Sequence, residues 1–428
     1  MKYIKRLLLD EIEKWIERRE IIAIRGPRQS GKTTLLKMLS EWLSSEKNID
    51  EGHIVYITFE DREQLDTFSQ NPKDFVTRRI KDSKRHYFLL DEAQYCEELG
   101  QKLKLIYDVF DNVKLIITGS SSLELKNQTG KFLVGRILEF ELFPLNFYEY
   151  LSYADEGLTK MFGSWNGRIL AFVSGNKEFK VKKEAEIFNE ELLKHLNDFI
   201  TFGGYPAVVT TKGKDEKVKI LKNLMNNYID RDIVSFLQIT DTIKFRKLMT
   251  AISASNGSLI RFEELANQVG SYFKELTKLI DSLEQTYIIR RIGPYHKNLV
   301  TELKKVQKAY FVDTGLRNSL IDNFSDMGKR SDAGVLAENF VLNELSEHVK
   351  LHFWRTTAKT EVDFIAETES LLPIEVKFQH FLGPKVGKSL YGFINEYKPG
   401  NCIIVTRDFW GEHTIKNSKI KFIPIAYI

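Results

Sequence analysis

Gly26, Pro27, Arg28, Gln29, Ser30, Gly31, Lys32 and Thr33 run in the order G-x-x-x-x-G-K-[ST], with every fixed position filled. Two glycines, a lysine and a hydroxyl at this spacing suit the binding of a triphosphate. Backbone N–H groups of such a loop, and of the helix that follows it, can wrap phosphate oxygens. Lys32 would reach the β- and γ-phosphates, and the Thr33 hydroxyl, with Thr34 behind it, would hold Mg²⁺. The pattern carries chemistry only in a strand–loop–helix context. That context is present. Ile21-Ile22-Ala23-Ile24 reads as a buried strand, and TTLLKMLSEWL sets leucines and Met38 at helical spacing. ATP or GTP with Mg²⁺ is the expected ligand.

A second group of candidates must face this loop. YFLLDEAQ, residues 87–94, is an apolar strand ending in Asp91 and Glu92. On a strand beside the loop strand, Asp91 would hold Mg²⁺ through water, and Glu92 would be the general base for the attacking water. The pair lies about sixty residues after the loop with one strand between them, which suits nucleotide hydrolases with an extra central strand. The next strand ends in TGSSS, residues 118–122, so Thr118 or Ser120 would lie beside the γ-phosphate as a polar sensor. The same serines would also suit a helix N-cap, and the two readings are compatible. Arg136, in LVGRILEF, is the first candidate for an arginine that touches the γ-phosphate. It would act in its own subunit or in a neighbouring copy of a homo-oligomer. Arg28, inside the loop, is the second; a surface ion pair is the plain alternative for either.

The last hundred residues hold another carboxylate set. TEVDFIAETESLLPIEVKF reads as two strands joined by a polar turn, with Asp363 on the first. Glu375 and Lys377 alternate on the second and so share one face. Upstream, Glu338 lies on the helical pattern AGVLAENFVLNEL. This order resembles the PD-(D/E)xK nuclease fold. The resemblance implies that Glu338, Asp363 and Glu375 bind Mg²⁺ while Lys377 steadies the attacking water or the developing phosphate charge. A half-exposed hairpin without chemistry is the alternative.

The elements that must position these groups fall into four stretches. Over 1–152, strands at Ile21–Ile24, Ile54–Phe59, Tyr87–Leu90, Val113–Thr118 and Ile137–Leu142 alternate with helical segments, the βαβ signature of a parallel sheet. Residues 153–235 are mostly helical, and their balanced charge over 154–196 suggests an exposed insertion and lid. Residues 236–325 give three helices and two β-like runs, as a winged helix-turn-helix would, and 326–428 return to mixed α/β. A winged helix suggests DNA. Arg290, Arg291, Lys297, Lys304, Lys305 and Lys308 stand against Glu302 in the wing, where phosphate contacts need cations. The candidate recognition helix, SYFKELTKLIDSLEQ, offsets two lysines with three acids, so a packing module is the alternative. His296 in the wing reads as a surface residue.

GPRQSGKTTLL, FLLDEAQ, ITGSSS and the run GR…FPLNFYEY resemble an AAA-type P-loop ATPase of the archaeal-ATPase-like group. In that family a domain of unknown function follows the ATPase, and GGYPAVV, YFVDTGLRN and EVDF…PIEVK resemble its marks. The likeness covers residues 1–152 closely and about 200–428 more loosely. It implies ATP rather than GTP, and nothing here resembles the guanine-reading N-K-x-D. The resulting expectation is an α/β parallel-sheet ATPase, followed by a winged helix and a small nuclease-like domain. Its nucleotide state would control DNA binding or cleavage by the second half. The alternative is a slow ATP-gated switch with an inactive C-terminal module.

Composition is consistent with this. In 428 residues, 43% are apolar, so a folded core is expected throughout. A net charge of +4, from 63 basic and 59 acidic residues, does not itself argue for nucleic acid. Cys96 and Cys402 lack paired spacing, which suggests a reducing compartment and no structural zinc. The charged N-terminal segment lacks a signal peptide's apolar core, and no run is long enough to span a membrane. A cytoplasmic protein is expected.

Overall fold

In the computed structural model, residues 3–119, 132–175, 178–181, 187–229, 241–295 and 306–428 are described. They divide into two compact units. The first runs to Leu145 and takes in Gln285–Ile288; the second holds Asn146–Ile229, the chain from 241 to Glu284, and Ile289–Ile428.

In the first unit, α1 (Leu7–Glu13) precedes β1 (Ile21–Arg25), the glycine loop and α2 (Lys32–Ser45). Then come β2 (Ile54–Thr58), α3 (Arg62–Gln70), α4 (Pro72–Thr77), β3 (His86–Asp91), α5 (Leu99–Val109), β4 (Val113–Gly119) and β5 (Ile137–Glu141). The five strands pair in parallel in the order β2-β3-β4-β1-β5. Every residue of β1, β3 and β4 is buried, which explains their unbroken apolar runs. Ile21, Ala23, Phe88, Leu90 and Ile117 pack into one layer, and Ile22, Ile24, Leu89 and Ile116 into the opposite one. Alternate residues of a strand point to opposite faces, so the same three strands build both layers.

The strand order places an extra central strand between the loop strand and the strand of Asp91. β4, not β3, is the neighbour of β1, so the strand carrying Asp91 lies one position away from the loop strand. The register sets Ile24 beside Thr118, and Thr58 beside Asp91. The carboxyl ends of β1 to β4 therefore share one edge of the sheet.

The second unit begins with α6 (Phe147–Ala154), α7 (Glu156–Val173), α8 (Asn189–Phe202), α9 (Pro206–Val209) and α10 (Lys214–Tyr228). Over 156–173 the expected exposed insertion is overturned. α7 buries Leu158, Phe162, Ile169, Phe172 and Val173, an apolar stripe at helical spacing that the balanced charge concealed. Three helices follow, α11 (Thr242–Ala254), α12 (Phe262–Val269) and α13 (Phe273–Gln285), then the antiparallel pair β6 (Ile289–Ile292) and β7 (Lys308–Phe311). After α14 (Thr314–Leu320) and α15 (Ala333–Ser346), the remaining elements are β8 (Leu351–Arg355), β9 (Glu361–Glu367), β10 (Leu371–Lys377), α16 (Lys388–Tyr397), β11 (Asn401–Thr406), β12 (Gly411–Ile415) and β13 (Ser418–Pro424). These six strands form a mixed sheet in the order β12-β13-β11-β10-β9-β8. The chain just after β6 covers its edge: the Tyr295 N–H donates to the Phe353 carbonyl at 2.6 Å, and the Phe353 N–H to the Gly293 carbonyl at 3.1 Å.

Two of the sequence marks, GGYP and VDTGL, meet here as one joint. Asp313 accepts the Gly204 N–H at 2.7 Å and caps α14 by accepting the Leu316 N–H at 2.8 Å. Gly203 has a φ of 78°, and a Cβ there would stand 2.2 Å from an Asp313 oxygen. A side chain fits neither the conformation nor the space.

Candidate nucleotide site and a second carboxylate cluster

Between β1 and α2 the backbone turns in ways few residues tolerate. Gly26 has a φ of 155°, Gly31 of 100° and Gln29 of 60°. A Cβ on Gly26 would lie 2.1 Å from the Leu142 carbonyl oxygen, so the loop closes on the segment after β5 only because residue 26 is glycine. Gly31 is the N-cap of α2 and no side chain caps that helix, which leaves its first N–H groups for an anion. Lys32 is buried, with Nζ donating to the carbonyls of Gly26 at 3.0 Å and Pro27 at 2.8 Å. The Ser30 hydroxyl is buried without a hydrogen-bond partner. A buried ammonium, uncapped N–H groups and an orphaned hydroxyl fit the phosphates of a nucleotide.

Asp91 closes β3 and is 2% exposed. Its Oδ2 accepts the Thr33 hydroxyl at 2.7 Å and the Tyr56 hydroxyl at 2.8 Å, and its Oδ1 accepts the Thr118 hydroxyl. Donors from α2, β2 and β4 thus converge on one carboxylate. Thr33 and Asp91, in hydrogen-bond contact, are the oxygen ligand types that magnesium takes, directly or through water. Tyr56 was not among the expected residues, since a tyrosine within an apolar strand gives no signal of its own. Burial first, and then Asp91, raise its hydroxyl above the ordinary phenol range.

Glu92 follows in the left-handed region, with φ 54° and ψ 43°. Its N–H donates to the Thr118 hydroxyl at 3.1 Å, and its carboxylate holds the Gln94 amide. A non-glycine residue held in this conformation between a strand and a short helix is a backbone feature that concentrates at functional sites. Ser120 lies outside the described residues. Arg28 is on the loop and half-buried.

Arg136 is misplaced for a contact within its own subunit, which leaves the neighbouring-copy half of the expectation. Its carbonyl accepts the Ile21 N–H at 2.8 Å, at the amino end of β1. The loop leaves the other end of that strand, roughly 16 Å away at 3.3 Å per residue. Arg136 instead meets Asp108 at 3.3 Å and lies over the Tyr107 ring. It cannot touch a γ-phosphate on its own loop; the motif carried no information about strand register.

In the second unit, Glu338 from α15, Asp363 from β9, and Glu375 and Lys377 from β10 come together. Lys377 Nζ is 2.9 Å from Glu375 and 3.8 Å from Asp363. Asp363 also accepts the Val376 N–H at 2.7 Å, and Tyr310 donates to Glu338 at 3.2 Å. Burial, reinforced by the Asp363 carboxylate, pushes Glu338 well above the usual carboxylate range. Burial raises Asp363 as well, against the pull of Lys377. Burial would lower Lys377, but Asp363 and Glu375 raise it. Glu375 is 3% exposed, and its Oε2 is buried with no hydrogen-bond partner. An orphaned oxygen among three carboxylates fits a divalent cation.

The cations expected on a DNA-facing wing fare differently. Lys308 is 3% exposed and bonded to Glu361, and Arg291 is bonded to Glu284 and lies 2.9 Å from Asp281. Neither is an available surface charge. His296, Lys297, Glu302, Lys304 and Lys305 lie outside the described residues. His53, Asp82 and His86, which showed no metal spacing, come together with ligand atoms within 4.8 Å. Yet His86 Nε2 accepts the Lys81 N–H and Nδ1 meets the Lys84 carbonyl, so its nitrogens are occupied and the group is a polar joint.

Residues 18–151 match the model of an AAA domain. The N-terminal part is an AAA-type P-loop ATPase domain. Beyond it, residues 193–327 and 333–428 match two domains of unknown function, DUF8612 and DUF4143. An uncharacterized protein of Haemophilus influenzae is 24% identical over 94% of this chain and 93% of its own length. Uncharacterized protein MJ1544 of Methanocaldococcus jannaschii is 26% identical over 84% of this chain and 75% of its own. Among solved structures, the Walker-type ATPase PABY2304 of Pyrococcus abyssi aligns over 74% of this chain and 96% of its own, at 17% identity and a TM-score of 0.42. The ADP form of the Aeropyrum pernix ORC2 protein aligns over 76% and 96%, at 10% identity and 0.33. Among the described residues no helix is long and apolar enough to cross a membrane.

Proposed function

We propose that the AAA-type domain is a magnesium-dependent ATPase whose nucleotide state controls a nucleic-acid-directed second unit. The observation that carries hydrolysis is the convergence of Thr33 and Thr118 on Asp91, with Glu92 next in the chain. The phosphates would lie along the N-terminus of α2, with Lys32 turning from the loop carbonyls to the β- and γ-phosphates. Thr33 and Asp91 would hold Mg²⁺, which supplies charge neutralisation to the phosphates when bound. Glu92 would take the proton of the attacking water, with Gln94 steadying its carboxylate. Thr118, bonded to both Asp91 and the Glu92 N–H, would keep metal ligand and base in register. Arg136 remains only as a group offered to a neighbouring copy. Phosphate release from ATP with Mg²⁺, lost in Lys32→Ala together with nucleotide binding, tests the reading; release that persists in the variant would refute it.

For the second unit, α11–α13 with β6 and β7 read as a winged helix-turn-helix. Glu338, Asp363, Glu375 and Lys377 read as a PD-(D/E)xK nuclease-like site for a divalent metal. The orphaned Glu375 oxygen supports the metal. Lys377, beside both acids, would steady water or developing phosphate charge. Plasmid nicking in Mg²⁺ or Mn²⁺, with and without ATP, tests cleavage. Its loss in Asp363→Ala is expected, and equal nicking by that variant would refute the site.

A slow ATP-gated switch with an inactive C-terminal module is the second reading. The internal ion pairs of Arg291 and Lys308 favour it, because they remove two cations from any DNA-facing surface. Turnover far below about one per minute, unmoved by DNA, would support it.

A further inference from the structure

The segment before α1 reaches the nucleotide loop. Arg6 is 5% exposed; its Nη1 donates to the Ser30 carbonyl and its Nη2 to the Phe143 carbonyl, each at 2.7 Å. Ser30 is the residue before Gly31, so the gripped carbonyl belongs to the peptide that ends the loop. In a trans peptide the C=O and the next N–H point to opposite sides. A guanidinium holding the Ser30 carbonyl therefore turns the Gly31 N–H to the face of the loop away from Arg6.

Gly31 has a φ of 100° and no side chain, so its own sterics do little to fix that peptide. An outside constraint must do so. Arg6 is suited to it because its second bond is anchored. Phe143 follows Leu142, whose N–H donates to the Arg25 carbonyl at the end of β1 at 2.7 Å. The guanidinium thus refers the loop peptide to the sheet edge through a planar two-point contact, which a lysine could not reproduce.

We infer that Arg6 is a positioning residue of the nucleotide site, holding the Ser30–Gly31 peptide with its N–H turned toward the phosphates. This rests on the nucleotide-binding reading proposed above. The Arg6 bonds to Ser30 and Phe143 are to backbone carbonyls, so the side chain would act on the site through the loop backbone.

The test uses the full chain as wild type, Arg6→Lys and Arg6→Met. A fluorescent ADP in Mg²⁺ reports affinity, ATP turnover separates KM from kcat, and melting is followed with and without ADP. Arg6→Met is expected to bind ADP about ten- to a hundredfold more weakly, as loss of a charge-assisted bond would give. Its KM should rise more than its kcat falls. It should melt somewhat below wild type without ADP, because the Ser30 and Phe143 carbonyls lose their donor, and lose most of the ADP-induced shift. Arg6→Lys, which keeps the charge and one bond, should be intermediate, and it carries the test if Arg6→Met does not fold. Wild-type affinity in Arg6→Lys, or in a folded Arg6→Met, would overturn the inference while leaving the nucleotide site intact. Absence of ADP and ATP binding by wild type would overturn both.

Discussion

The Thr33 hydroxyl donates to Asp91 Oδ2 at 2.7 Å, joining the first turn of the helix after the loop to a strand end 58 residues further on. Because β4 separates β3 from β1, the strands alone do not bring these groups into contact. The hydroxyl spans that gap, and so does Thr118 from β4 itself. Thr33→Ala should therefore lower ATP turnover by about ten- to a hundredfold and raise the Mg²⁺ concentration needed, while Thr33→Ser stays close to wild type. A magnesium titration of turnover in the three proteins checks this.

The joint between GGYP and VDTGL predicts a stability effect. Gly203→Ala forces a Cβ against Asp313 at a φ of 78° and should cost about 3 kcal/mol in urea unfolding. A cost near zero would mean that the two segments are not locked together.

Asp332 gives a pH prediction. Its carboxylate meets Arg317 and Arg330, both with buried side chains, and chiefly the Arg330 hydrogen bond holds it far below the ordinary value of 3.8. A lowered folded pKa means that the stabilisation is fully present above the unfolded value and fades as pH falls below it. Asp332→Asn should cost about 3 kcal/mol at pH 7, because two buried guanidinium groups lose their carboxylate. The difference from wild type should narrow once the pH drops below about 4. Urea unfolding of both proteins across that range decides it.

Removing a carboxylate should expose the second site. Glu375 Oε2 has no partner and Lys377 pairs with Oε1, so Glu375→Gln should weaken Mn²⁺ binding by about tenfold or more in calorimetry. Equal Mn²⁺ affinity in the variant would remove Glu375 from the ligand set.

What was legible in the sequence was local. Central strands buried on both faces write continuous apolar runs, so β1, β3 and β4 could be found, and the glycine loop declares itself by spacing. The E-x-K alternation on β10 also follows from strand geometry. What was not legible depends on the sheet. The neighbours of Arg136 in sequence do not show that the register of β5 on β1 sets it at the edge away from its own loop. Tyr56 becomes a partner of Asp91 only when β2 pairs with β3. β12 and β13 escaped notice because β12 is mostly exposed and polar and β13 carries two lysines. One of those, Lys421, is buried against the rings of Phe172 and Phe179. Burying a lysine with its ammonium over aromatic rings hides a core strand behind its charges.

The central claim is that ATP is hydrolysed at the end of β3 with Glu92 as the base. The direct test is single-turnover hydrolysis beside equilibrium ATP binding, in wild type and Glu92→Gln. The account predicts ATP affinity within a few-fold of wild type and hydrolysis slower by about a hundred- to ten-thousandfold. Wild-type hydrolysis in Glu92→Gln would contradict it.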